Sequence, residues 1–177
     1  MKDHDSYDSD IDIDKENYEI CKKRSKKYCV GKRSKFSQKL LEKYDYPARN
    51  ILKKCLGDFI IDNNEITKQD LIVTDPDFPF QYIEVQVRTG WTKHKYPDIY
   101  VNIYARKAKY GDNTLFITFN RLLSECYIFC LRGLKLEPRR IKKYSREFVY
   151  DIPWYQVIWA RTNQLTPKFL KKLYRFS

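Results

Sequence analysis

Between Tyr82 and Arg88 the chain reads YIEVQVR, an alternation with a period of two that suits an extended strand. Ile83, Val85 and Val87 fall on one face and belong to a core. Tyr82, Glu84, Gln86 and Arg88 fall on the other. A carboxylate and an amide two residues apart on that second face have two explanations. The face is solvated, as on many antiparallel strands, or the two side chains take part in chemistry.

The segments around this strand limit the fold. Upstream, SKFSQKLLEKYDYPARNILKKCLG carries apolar residues at Phe36, Leu40, Leu41, Tyr44, Ile51, Leu52, Cys55 and Leu56, close to a helical repeat. Pro47 either breaks this helix or starts a second one, and Gly57 stops it. Beyond Gly57 the signal changes to strands. DFIIDNN and DLIVTDPD end in turn residues, and DIYVNIYAR alternates with Ile99, Val101, Ile103 and Ala105 on one face. NTLFITFN, SECYIFCL and YQVIWAR supply three more strands, and TPKFLKKLYRF closes as a short helix with Pro167 in its first turn. A helix, a mostly antiparallel or mixed central sheet and a C-terminal helix predict an α+β domain.

Charge is divided unevenly along the chain. Residues 1–20 carry eight carboxylates and two lysines, a net of −6, so residues 21–177 carry +18 of the overall +12. The acidic segment has too little apolar content to offset ordering entropy and is expected to be a disordered tail. Residues 21–35 follow as a basic linker or arm, and residues 36–177 as the folded domain. Such an excess of positive charge attracts polyanions, so nucleic acid, DNA above all, is the expected partner. No apolar run reaches the length of a membrane span and no strongly amphipathic basic helix is present, so no membrane partner and a soluble intracellular protein are expected. The five cysteines form no CxxC pair and only two histidines accompany them, which argues for reduced thiols over a zinc cluster.

Chemistry-bearing residues gather near Glu84. Asp70 opens the run LIV, and the turn TDPDFPF returns the chain so that YIEVQV can lie beside it. Carboxylates on adjacent strands repel unless a cation lies between them. Mg²⁺, or Mn²⁺, suits such oxygens and keeps waters for a substrate. Asp75 and Asp77, among Pro76 and Pro79, fit turn chemistry better than ligation. The Gly-rich phosphate loop and the HExxH motif are both missing, so P-loop hydrolysis and zinc proteolysis have no support.

Asp70 followed by EVQ at 84–86 resembles the PD-(D/E)xK, or restriction-endonuclease-like, nuclease superfamily, in which an acid at one strand start precedes an acid–x–Lys triplet in the next strand. The likeness extends through EVQVRTGW, IYARKAKY, TLFITFN and EFVYDIPWYQVIW, roughly residues 40–160. It is similar to the succession in small nuclease-like proteins of phages and large DNA viruses. The resemblance implies a restriction-endonuclease-like core and a metal-dependent DNA endonuclease. Asp70 and Glu84 would then be metal ligands, with the main-chain carbonyl of Val85 a third and Glu42 an additional acid from the first helix. Gln86 stands where the family most often has Lys, and its amide would position water without changing charge. A nearby cation would have to stand in, with Arg106, Lys107 and Lys109 the first candidates and Arg88, Lys93 and Lys95 behind them. The same six side chains are the candidate phosphate contacts. Two alternatives remain open at this point: a catalytically inactive nucleic-acid-binding protein on the same fold, and a basic interaction module whose strand carboxylates are only surface. A homodimer is a further expectation, since many such nucleases pair to cut two strands.

Overall fold

A computed structural model describes residues 38–65, 68–92, 96–140 and 148–174. The expected tail (1–20), the arm (21–35), Lys93 and Lys95 lie outside the described residues.

Helix α1 (Tyr46–Leu56) buries Ala48, Leu52 and Leu56, one residue every fourth position and so one stripe of the helix. It ends at Gly57, whose φ of 54° lies in the region that glycine adopts without a Cβ penalty, and whose N–H closes on the Lys53 carbonyl. Pro47 stands in the first turn of α1, as expected of a proline that starts a helix. A short turn (Gln38–Leu40) runs into a π segment (Leu41–Asp45), where the Tyr46 N–H reaches back five residues to the Leu41 carbonyl. A proline ring crowds the carbonyl four residues before it, and a wider turn ahead of Pro47 relieves that contact.

Among the described residues nine strands follow: β1 (Ile60–Asp62), β2 (Leu71–Val73), β3 (Tyr82–Arg88), β4 (Val101–Tyr104), β5 (Thr114–Asn120), β6 (Glu125–Phe129), β7 (Pro138–Arg140), β8 (Phe148–Ile152) and β9 (Ile158–Arg161). Six of them form a mixed sheet in the order β1-β2-β3-β5-β6-β9, and β4-β8-β7 form a second sheet. Every ladder is antiparallel except β3 with β5, which pair in parallel from Tyr82↔Thr114 to Arg88↔Asn120. Parallel neighbours need a long crossover, and residues 89–113, which contain β4, provide it. Thr166 caps helix α2 (Pro167–Leu173) by accepting the Phe169 N–H at 3.1 Å. The chain is therefore α+β with a mixed sheet. Among the described residues no helix is long and apolar enough to cross a membrane.

Two cores lie on opposite faces of the large sheet. Ala48, Leu52, Ile83, Val85, Leu115, Ile117, Ile128 and Leu170 form the first, between sheet and helices. Phe116, Phe129 and Tyr127 meet Val101, Ile103, Tyr150, Ile152 and Trp91 in the second, between the two sheets. All seven residues of β5 are buried, as a strand covered on both faces requires.

The expected strand DIYVNIYAR needs correction. β4 is shorter than DIYVNIYAR: residues 97–100 are bends, Ile99 is 79% exposed, and the chain leaves the strand at Ala105 for a 3₁₀ segment (Ala105–Tyr110). That segment buries Ala105 and Ala108 at a spacing of three, a helical period that two alanines among cations hide in the sequence. Pro138–Arg140 is an edge strand, where a proline costs no ladder bond.

Candidate active site

The site is assembled where β2 stops short of β3. The antiparallel register sums to one fixed value, Leu71↔Ile83 and Ile72↔Tyr82. Continued by one residue, it places Asp70 beside Glu84, and by two, it would pair residue 69 with Val85. The chain bends away there instead, and the Asp70 carboxylate takes the Val85 N–H at 2.8 Å. In a strand the N–H and C=O of one residue point to the same edge, so the Val85 carbonyl opens on the Asp70 side.

Two cations complete the cluster. Arg49 of α1 donates to the other Asp70 oxygen. Lys107, from the 3₁₀ segment, donates to Glu84 Oε1. Glu84 is only 3% exposed and Gln86 9%, so the reading of these two as a solvated face does not hold. Burial pushes the Glu84 carboxyl up to about 7, against the pull of Lys107, and the neighbouring Asp70 charge adds to the rise. Asp45, the last residue of the π segment, is also raised, first by burial and then by Asp70. The Tyr110 hydroxyl, raised by burial and by the Glu84 and Asp70 charges, donates to the Lys68 carbonyl at 3.3 Å. Glu84 Oε2, Gln86 Nε2 and Thr118 Oγ1 are buried without a hydrogen-bond partner. Gln86 and Thr118 are register partners across β3 and β5, so these groups share one face. Buried polar atoms without partners are uncommon and costly.

The sequence candidates separate into distinct places. Asp70, Glu84, Val85 and Gln86 converge as described. Of the three stand-in cations only Lys107 meets Glu84; Arg106 lies over the Tyr104 ring and Lys109 over the Tyr110 ring. Arg88, half-buried, donates to the Tyr96 hydroxyl at 3.1 Å and to the Asn102 carbonyl at 3.2 Å, away from the Glu84 carboxylate. Glu42 is exposed and accepts from Gln38 at 2.9 Å, so it is not the additional acid. Asp45, three residues later, approaches instead because the π turn rotates it inward. Asp45 and Arg49 went unread in the sequence, and their spacing of four on a helix was the one available signal.

The donor set suits some cations and not others. Among the described residues no three His, Cys, Asp or Glu side chains group as metal ligands. Two carboxylates, one of them with the buried, unpartnered Glu84 Oε2, and a main-chain carbonyl are oxygen donors of the kind that suit a hard cation that retains waters, such as Mg²⁺ or Mn²⁺, better than zinc. Reduced thiols agree with the free Cys55, Cys126 and Cys130. No family model, no curated protein and no solved structure matches the chain.

Proposed function

We propose that the chain is a metal-dependent DNA endonuclease of the PD-(D/E)xK type on a restriction-endonuclease-like core. The observation that carries this reading is the ion pair of Lys107 with Glu84 beside Asp70, because it brings a cation to the site where Gln86 replaces the expected lysine. Asp70 and Glu84, with the Val85 carbonyl, would hold Mg²⁺ or Mn²⁺. When bound, that ion would polarise a phosphoryl oxygen and lower the pKa of an attacking water. Lys107 has the charge and reach to orient that water or meet the scissile phosphate, and the Gln86 amide has a donor to spare for it. The net +12 supports a polyanionic substrate.

One observation favours a second reading, a non-catalytic DNA-binding protein on the same scaffold. Both carboxylates already hold a cation of the chain's own, Arg49 on Asp70 and Lys107 on Glu84, so the cluster is self-neutralised. Cleavage decides between the two. DNA incubated with Mg²⁺ or Mn²⁺ should be cut by the wild type and not by Asp70→Ala or Glu84→Ala. Cutting that survives both substitutions removes this site, and DNA binding without cutting by any of the three selects the second reading.

A further inference from the structure

The second core ends in a patch of exposed rings. Trp91 is fully buried and stacks on Tyr127 at a centroid distance of 4.7 Å and 14° between planes. Trp154 packs edge-on against the same Tyr127 at 5.5 Å and against Tyr96 at 6.3 Å. Trp159, on the edge strand β9, is the register partner of Tyr127. Despite this anchoring, Trp154 and Trp159 are 43% and 45% exposed, and Tyr155 is 82% exposed. Single exposed aromatics are ordinary, but Trp154 packed on Tyr127, Trp159 opposite Tyr127 in the ladder and Tyr155 next to Trp154 make a surface feature.

The rings are held rather than loose. The Trp154 indole N–H donates to the Ile99 carbonyl at 2.8 Å, which fixes the ring plane and uses its polar edge within the protein. Trp154 and Tyr155 belong to a 3₁₀ turn (Trp154–Gln156), and Trp159 to a paired strand. What remains for a partner is π surface with little ordering cost left. Charge selects the partner. Arg161 is exposed two residues beyond Trp159 on the same strand face, and Arg121 is exposed in the adjoining β5–β6 turn, where its N–H bonds the Trp91 carbonyl at 2.8 Å. The acids nearby are Glu125, buried opposite Arg161 across the β6–β9 ladder, Asp151, bound by Arg139, and Asp98, and the two arginines stand exposed outside them.

We infer that Trp154, Tyr155 and Trp159 form a stacking platform for unpaired nucleobases, with Arg161 and Arg121 meeting the phosphates of the same single strand. Flat rings beside cations bind single strands with little sequence preference, because every base has a π face. Paired bases in a duplex are stacked on one another and cannot use the platform, so single-stranded or branched nucleic acid is the ligand class. The platform is separate from the Asp70–Glu84 cluster. It holds under either reading of that cluster, and binding without divalent metal tests it independently of cleavage.

The test is titration of the full chain, in EDTA, with a fluorescent oligo(dT) and with a flush-ended duplex of equal length, while tryptophan emission is followed. Quenching by oligo(dT), with preference over the duplex, is expected. Trp154→Ala and Trp159→Ala should each weaken oligo(dT) about tenfold with unchanged circular dichroism, while Trp159→Phe should retain most of the affinity. Arg161→Ala should weaken it and reduce its salt dependence. Equal affinity for duplex and single strand, or alanine variants that bind as well as the wild type, overturns the proposal. So does a concentration-dependent dimer that Trp159→Ala abolishes, which would make the patch a contact between copies of the chain.

Discussion

On the helix side of β3, Ile83 and Val85 meet Leu52 of α1 in an apolar core. On the opposite side, Glu84 and Gln86 are as deeply buried, yet one oxygen, one amide nitrogen and the Thr118 hydroxyl beside them have no partner. The two faces therefore differ in what burial achieves. Removal of apolar area from water stabilises the first. Burial on the second costs desolvation of a carboxylate and of polar groups. The chain accepts that cost within one strand, against Lys107 and beside Asp70, and perturbed carboxyls of this kind cluster at functional sites, which supports the proposed role.

The contrast can be broken first through activity. Asp70→Asn keeps an acceptor for the Val85 N–H but removes the charge that pairs with Arg49, so DNA cleavage in Mg²⁺ should fall about 10³-fold or more, well beyond what the accompanying loss of stability explains. A stability loss that accounts for the whole drop would reduce Asp70 to a structural role. The apolar face should behave in the opposite way. Leu52→Ala should cost about 2–5 kcal/mol in denaturant unfolding and leave cleavage per folded molecule at the wild-type rate.

pH sharpens the comparison. Because folding raises the Glu84 carboxyl from 4.5 to about 7, the folded chain binds that proton more tightly than the unfolded chain does. The associated stability is fully present below pH 4.5 and is lost as pH rises to about 7, an effect on the order of 3 kcal/mol. Asp45, raised in the same direction, adds to the trend. Unfolding at several pH values should show the decline, and Glu84→Gln should flatten it; an equal slope in the variant would place the proton elsewhere. The smallest effect is expected from the double variant Glu84→Gln with Lys107→Met. With both charges of the buried pair removed together, its melting temperature should equal or exceed that of the wild type, whereas Lys107→Met alone should lower it by leaving Glu84 unpaired.

Much of this was legible in the chain and some was not, for physical reasons. The faces of β3 follow from a period of two, and the juxtaposition of Asp70 with Glu84 follows from one turn between two strands. Pro167 and Gly57 marked helix ends because the signals at helix termini are local chemistry. Lys107 stood in the sequence as one of three equivalent cations. Only the departure from β4 into the 3₁₀ segment, driven by burial of Ala105 and Ala108, distinguishes it from Arg106 and Lys109. Asp45 depends on the π turn ahead of Pro47, a backbone adjustment that hydrophobic periodicity does not encode. Trp91 and Trp159 have the same residue type and opposite fates, because β9 is a sheet edge and the residues after β3 fold under the second sheet.

The most direct measurement is the Mg²⁺-dependent cleavage rate of Lys107→Met against wild type, with DNA affinity measured in parallel. If Lys107 supplies the cation that Gln86 cannot, cleavage falls about 100-fold or more while affinity for DNA changes by less than threefold. A variant that cuts at the wild-type rate contradicts the role assigned to Lys107.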